Sequence, residues 1–500
     1  MKPIFTFLFL IYSLQNFAQQ QGINDIICGS FEDNGKPVMA KQFKTRENIY
    51  LIDSVDGSQI VLALRTAKNN AGYKNKGYLT AIDLANGKVL WEKFIHNFDI
   101  AFSKNYIVYT NYDGNKVFKK ASGEFLYTDD GSYEYLDYNR DFALKTGARH
   151  FYLPTRQSNW YRNISSSAGY WEEVKWISDS TFLIAADGIH FLHLRDGKGW
   201  SYKIKPKQDL NYAAFGAIIA GSALLGVIGG TVVYYAVSAP SYHGFNSNIW
   251  MDNMMQEIIF YSNKKIIKTN IKGEWLWETK IYEEEDGRSI LIDFKDKIIR
   301  INTGLGVENN TGRLARYATP YLTAYSQTNG IELYHKKIDD KKPVWMLSRM
   351  KDTLLINTDN KIQTFNFNNG ALLHSRLSDS FKHAAAINAE EVFIEKENKL
   401  YSMASLFQDN FSIQKSSDLI LLKSDLTIQQ VWEANQYYMY KGSYNDLKIY
   451  QNSNSIRIEN ENQLIAILKL SGEIRLNHQK MLVVNGNLLT IVDLSQFSEK

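Results

Sequence analysis

The side chains of this 500-residue chain that could do chemistry are few and poorly assembled. His190 and His193 form the tightest pair of imidazoles, but three residues apart in a strand they point to opposite faces and cannot share one ion. The acidic run Glu283-Glu284-Glu285-Asp286, just before Gly287, offers oxygens to a hard cation without the alternating ligand spacing of a calcium loop. A solvated loop is the expectation there. No G-x-S-x-G, phosphate-cradling glycine loop or H-E-x-x-H occurs. Cys28 is the sole cysteine, so no internal disulfide can form. Asp25 and the Ile26-Ile27 approach make Cys28 a poor lipid acceptor, and a buried or idle thiol is expected. No catalytic, cofactor-binding or metal-binding residues are therefore predicted. One stretch, 131–177, concentrates aromatic rings: Tyr133, Tyr135, Tyr138, Tyr152, Trp160, Tyr161, Tyr170, Trp171 and Trp176. Such rings stack on sugars or receive a peptide when exposed, and otherwise fill cores and rims.

The frame around these residues has ample material for a large core, with 44% hydrophobic and 13% aromatic content. A net charge of +4, spread thinly, lacks the concentrated basic footprint of a nucleic-acid binder, and no nucleic-acid partner is expected. Residues 1–18 read as a secretory signal peptide: Lys2, then an apolar run from Ile4 to Leu14, then Asn16-Phe17-Ala18. The run is too short to span a bilayer, although an uncleaved anchor is the alternative. Export is the expectation.

A recurring phrase dominates the remainder: an apolar strand, a turn glycine and an aromatic residue four places on. Its clearest copy runs from Ala81 to Trp91 around Gly87, and others centre on Gly123, Gly197, Gly273, Gly330, Gly370 and Gly472. The aromatic positions are Trp91, Tyr127, Trp277 and Tyr334; His374 and Leu476 stand there in weaker copies, and Trp200 lies one place early. Asn86-Gly87 predicts a two-residue type I′ hairpin, in which both residues have positive φ. Glycine spacings of 36 and 40 residues fit one four-stranded unit each. The 74-residue gap implies a degenerate unit near Trp160, and the 102-residue gap one at 421–433.

The pattern A-x-D-x-x-(T/N)-G-x-x-x-W resembles the tryptophan-docking repeat of the quinoprotein-like (PQQ) β-propeller family. The 81–91 copy matches every key position, 267–277 keeps the Gly and Trp, and degenerate copies cover most of 48–494. The resemblance implies an all-β fold: a single β-propeller of eight, or seven, four-stranded blades over 28–500, in which Trp91, Tyr127, Trp277 and Tyr334 dock against the neighbouring blade. Strands at 48–64 and 481–494 are the candidates for ring closure. A large β-sandwich, or two smaller propellers divided near residue 210, are the competing architectures. The family's dehydrogenases pair adjacent cysteines beside the cofactor, which one cysteine cannot do, so the resemblance is to non-enzymatic members and no cofactor is expected.

The predicted propeller is interrupted at 208–250 by an insertion containing the apolar segment 212–239, which carries no charge. Its length passes the threshold for a membrane-spanning helix. Ser222, Gly226 and Gly230 recur every four residues, a spacing that lets helices approach closely in lipid. Spanning, re-entrant and protein-packed placements all remain open. The function expected is an exported, membrane-associated, non-enzymatic scaffold in the cell envelope, at the periplasmic or outer-membrane face. It would bind an envelope protein or its own copies. A glycan- or small-ligand-binding propeller is the alternative, and a quinone-dependent oxidoreductase a distant third.

Overall fold

The computed structural model describes residues 23–497 apart from short internal stretches and, at greatest length, 165–172, 204–244, 282–288, 308–313 and 378–384. The signal segment 1–18, the apolar segment 212–239 with Ser222, Gly226 and Gly230, and the acidic run 283–286 all lie outside the described residues. No helix among the described residues is long and apolar enough to cross a membrane.

The chain is all-β. Its described strands make seven four-stranded antiparallel sheets, one three-stranded sheet, a two-stranded ribbon and one 11-stranded sheet. In chain order the sheet units are 48–95 (unit 1), 99–129 (unit 2), 133–152 (unit 3), 173–203 (unit 4), 245–280 (unit 5), 289–337 (unit 6), 344–377 (unit 7) and 385–432 (unit 8). The 11-stranded sheet contains two more: 437–468 (unit 9), and 473–493 completed by the strand Pro37–Lys44 (unit 10). These ten groups exceed the eight, or seven, expected. Unit 9 escapes the sequence pattern because its last hairpin turns through Glu461 and Asn462, both at positive φ, with neither a glycine nor an aromatic.

The middle strands are apolar on both faces, as in Gln59–Lys68, where Ile60 through Leu64 are all fully buried. Strands covered on both sides read as continuous hydrophobic runs, and here each unit is sandwiched between two others. The clusters follow the chain: Ala63 and Leu79 of unit 1 pack on Ile107 and Phe118 of unit 2. Leu183 of unit 4 meets Ile258 of unit 5, and Ile301 of unit 6 meets Leu354 of unit 7. Phe43, Leu489 and Ile491 of unit 10 pack on Ile60 and Leu62 of unit 1, so the succession returns to its start.

That return depends on the N-terminal strands Ile23–Phe31 and Pro37–Lys44. The first pairs with Gln463–Leu468 of unit 9 and the second with Leu488–Asp493 of unit 10. Of the two stretches expected to meet at a ring closure, 481–494 lies in unit 10 and 48–64 supplies the first two strands of unit 1, on which unit 10 packs. The β structure starts at Ile23, ahead of the expected boundary at residue 28. The strand Phe245–Met251 pairs with Glu257–Ser262, so the first strand of unit 5 begins inside the 208–250 stretch assigned to the insertion.

Candidate functional site

The repeated phrase is a single piece of geometry. At Gly87 the hairpin is longer than the type I′ turn expected: Asp83 N–H donates to Lys88 O (2.9 Å) and Gly87 N–H to Asp83 O (2.7 Å). Gly87, at φ 65°, adopts the left-handed conformation, Asn86 does not, and the strands bulge between Ala81 and Ile82. The Asp83 carboxylate accepts Ala85 N–H at 2.7 Å and fixes the turn. Gly123, Gly197, Gly330 and Gly370 repeat the glycine-to-fourth-residue bond. Leaving the turn, the strand presents an aromatic ring four residues after the glycine.

Each ring lies on the turn of the next unit. A Cβ on Gly123 would sit 2.5 Å from the Trp91 indole, one on Gly330 2.5 Å from Trp277, and one on Gly370 2.5 Å from Tyr334. The ring's polar atom finds a backbone acceptor in the same turn: Trp91 Nε1 donates to Ala121 O (3.2 Å), Trp277 Nε1 to Gln327 O (3.0 Å) and Tyr334 Oη to Phe367 O (2.9 Å). Buried indoles and phenols need such a partner. Burial pushes the Tyr334 and Tyr127 phenols well above the ordinary tyrosine range, so both stay protonated donors.

Two members of this series were not assigned from sequence. Trp160 lies on Gly197 and Trp200 on Gly273, donating to Leu194 O (2.6 Å) and Ile271 O (2.9 Å). In unit 3 Arg156, at φ 61°, takes the glycine's place, and Tyr127 Oη donates to Leu153 O (2.6 Å) beneath it. Trp160 stands four residues after Arg156, so the spacing was legible although the glycine was not. Gly472 is different: at φ 142° it precedes the strand Glu473–Asn477, and its Cβ would strike Val484 O, not a docked ring. It does not belong with the other six glycines.

The series of rings ends at unit 7. His374 lies on the exposed strand Leu372–Leu377, and Arg376 Nη1 donates to Leu426 O (3.1 Å), Leu426 standing at φ 67° where a glycine stands elsewhere. Beyond it the hairpin Val392–Lys396/Lys399–Ser402 adds to the edge of unit 9. Arg457, fully buried, ties that hairpin down: it donates to Glu459 (2.7 Å), Glu395 (2.8 Å) and Asn398 O. Beside Glu395 opens a cleft of about 560 Å³, lined by Ile394, Gln430, Trp432, Asn435, Gln436 and Tyr438. Two buried rings, a carboxylate and several side-chain amides are groups that hold a polar ligand with an apolar face.

The remaining sequence candidates scatter. His190 is buried with Nδ1 2.9 Å from Ser201 Oγ, while His193 is exposed. Among the described residues no three metal-ligating side chains converge. In the 131–177 stretch, Trp160 is buried, Tyr133, Tyr135 and Trp176 are half-buried, Tyr138, Tyr152 and Tyr161 are exposed, and Tyr170 and Trp171 lie outside the described residues. Burial raises Cys28 to about 11. Sequence reasoning did not foresee the buried cations between units, such as Lys120, whose Nζ reaches Asp53 at 2.6 Å, because a lysine next to a turn gives no sign of being enclosed.

No known family's sequence profile matches the chain, and no curated protein matches it either. Solved structures do. BamB from Moraxella catarrhalis aligns at a TM-score of 0.32 and 11% identity, over 74% of this chain and 96% of that one. Hsv2p of Kluyveromyces lactis aligns at 0.30 and 9%, over 77% and 99%. The dihydro-heme d1 dehydrogenase NirN, in complex with DHE, aligns at 0.32 and 10%, over 85% and 75%. All three are β-propeller proteins. The overlap is loose, and the propeller-like architecture rests on the strand pairing and ring docking described above.

Proposed function

We propose that the ten sheet units are the blades of one closed propeller, and that this propeller is an exported, non-enzymatic scaffold held at a membrane of the cell envelope. The observation that carries the reading is where the aromatic repeat spends its polar atoms. From Trp91 to Tyr334 the indole N–H and phenol O–H groups donate to the backbone of the next unit, which makes the repeat a frame with no chemistry left over. Into this frame, between units 4 and 5, the sequence inserts 212–239, twenty-eight residues without a charge. A tether inserted in a rigid ring suits a protein that positions other proteins. Affinity capture of the intact chain from detergent-solubilised envelope is the test: a stoichiometric membrane-protein partner, or a second copy of the chain, is expected. Recovery of the chain alone as a monomer would remove the reading.

The cleft beside Glu395 favours a second function, binding of a glycan or another small polar ligand. A ligand that raises the melting temperature of the intact chain, with the shift lost in Trp432→Ala, is the expected sign.

A further inference from the structure

The docking phrase carries one more regular residue. A leucine stands three places after the glycine in five copies: Leu90, Leu126, Leu276, Leu333 and Leu373. In each copy that leucine is the extra residue of a β-bulge, and four of the five are exposed, whereas Leu126 packs on the core. On or beside the outer strands of units 5, 6 and 7 these leucines join other exposed apolar side chains in an arc: Trp275 is 51% exposed, Leu276 47%, Ile331 62%, Leu333 49%, Leu373 42% and Leu377 73%. These units are consecutive and packed face to face. Soluble monomers seldom leave so many large apolar side chains together on one surface.

Two further facts point to what covers the arc. The last described strand before 204–244 is Ser201–Lys203, and its Tyr202 ring lies 5.5 Å from the Trp275 ring, so the described chain on that side ends at the arc's own edge. The charges on these strands are mostly positive. Lys280, Lys336, Lys337 and Arg376 lie on the strands Trp275–Lys280, Glu332–Lys337 and Leu372–Leu377, against Glu278 and Glu332; Glu278 is paired with Lys265 at 2.7 Å and Arg376 donates to Leu426 O. A tryptophan and leucines bordered by cations match the boundary between acyl chains and anionic headgroups.

We propose that the outer strands of units 5 to 7 lie against an anionic bilayer surface, which sets the propeller on its rim beside the membrane. This rests on the membrane association proposed above. The test places a polarity-sensitive fluorophore on the full chain, using Cys28→Ser to clear the background thiol. Single cysteines go in at Leu276→Cys and Leu333→Cys, with Leu90→Cys on the distant part of the rim and Lys336→Cys as a polar site should a leucine variant fail to fold. The protein is mixed with vesicles of phosphatidylethanolamine and phosphatidylglycerol and floated. Expected are flotation of every variant, a blue shift with quenching by spin-labelled lipid at 276, 333 and 336, and no change at 90. Flotation without any change at 276, 333 and 336 would overturn the rim contact and leave membrane association standing. Failure of the wild-type chain to float would remove both. A blue shift that needs no lipid and grows with protein concentration would overturn the proposal in favour of a second copy.

Discussion

Between units 1 and 7, each sheet passes an aromatic ring to the turn of its successor; beyond unit 7 the rings stop, and continuous strand pairing joins unit 9 to unit 10. In the first region the joint is a ring on a glycine with one hydrogen bond, as at Trp277 and Gly330. In the second it is an 11-stranded sheet bridged by Ile23–Phe31, with the fully buried Arg457 between two glutamates. The two meet at Gly87, where a Cβ would fall 1.8 Å from the Ile23 side chain. An N-terminal isoleucine thus occupies the place that a docked ring fills at the later turns. A joint made of local hairpin geometry can be repeated by copying the phrase. A joint made of residues from both ends of the chain can be made only once.

Breaking the second region at its source gives the largest effect expected. Deleting 23–44 removes both bridging strands, and the chain should then show no cooperative thermal transition by circular dichroism; a sharp transition near that of the intact chain would mean the hairpin is dispensable. Single joints come next. Trp277→Ala should cost about 3–5 kcal/mol in urea unfolding, as large aromatic truncations in cores do. Arg457→Ala should cost a similar amount, about 3–5 kcal/mol, because it strands Glu459 in the interior. What separates the two is rescue: Arg457→Met combined with Glu459→Leu should recover most of the loss, since an apolar set often replaces a buried ion cluster without penalty. No such pair exists for the indole.

Alkali probes the second region, where Cys28 lies on the bridging strand Ile23–Phe31. Burial raises Cys28 from 9.0 to about 11, so the folded state holds that proton more tightly than the unfolded one. The resulting stability is fully present below pH 9 and is lost as pH rises through 11. At pH 10 the loss is about 1 kcal/mol relative to pH 8, and Cys28→Ala should remove that part of the alkaline fall in melting temperature. The smallest effect expected is Tyr334→Phe, which keeps the ring on Gly370 and deletes only the bond to Phe367 O. About 0.5–1.5 kcal/mol should be lost, far less than with Trp277→Ala. If the two variants cost the same, the hydrogen bond and not the ring area holds units together.

The all-β class, the strand-turn-strand phrase and the ring positions at Trp91, Tyr127, Trp277 and Tyr334 could be read from residues alone, because period-two patterning and turn chemistry act over about ten neighbours. For the same reason the gap near Trp160 showed a hidden unit. Unit 9 was invisible, since Glu461 and Asn462 reach positive φ without glycine and no ring follows. Gly472 imitated the phrase by composition while serving a different backbone contact. Which strands pair with the N-terminal hairpin, which glutamates surround Arg457 and where Ile23 comes to rest were decided only by tertiary structure. The N-terminal strands find partners hundreds of positions down the chain and Glu395 reaches Arg457 across 62, distances at which no local preference records a partner.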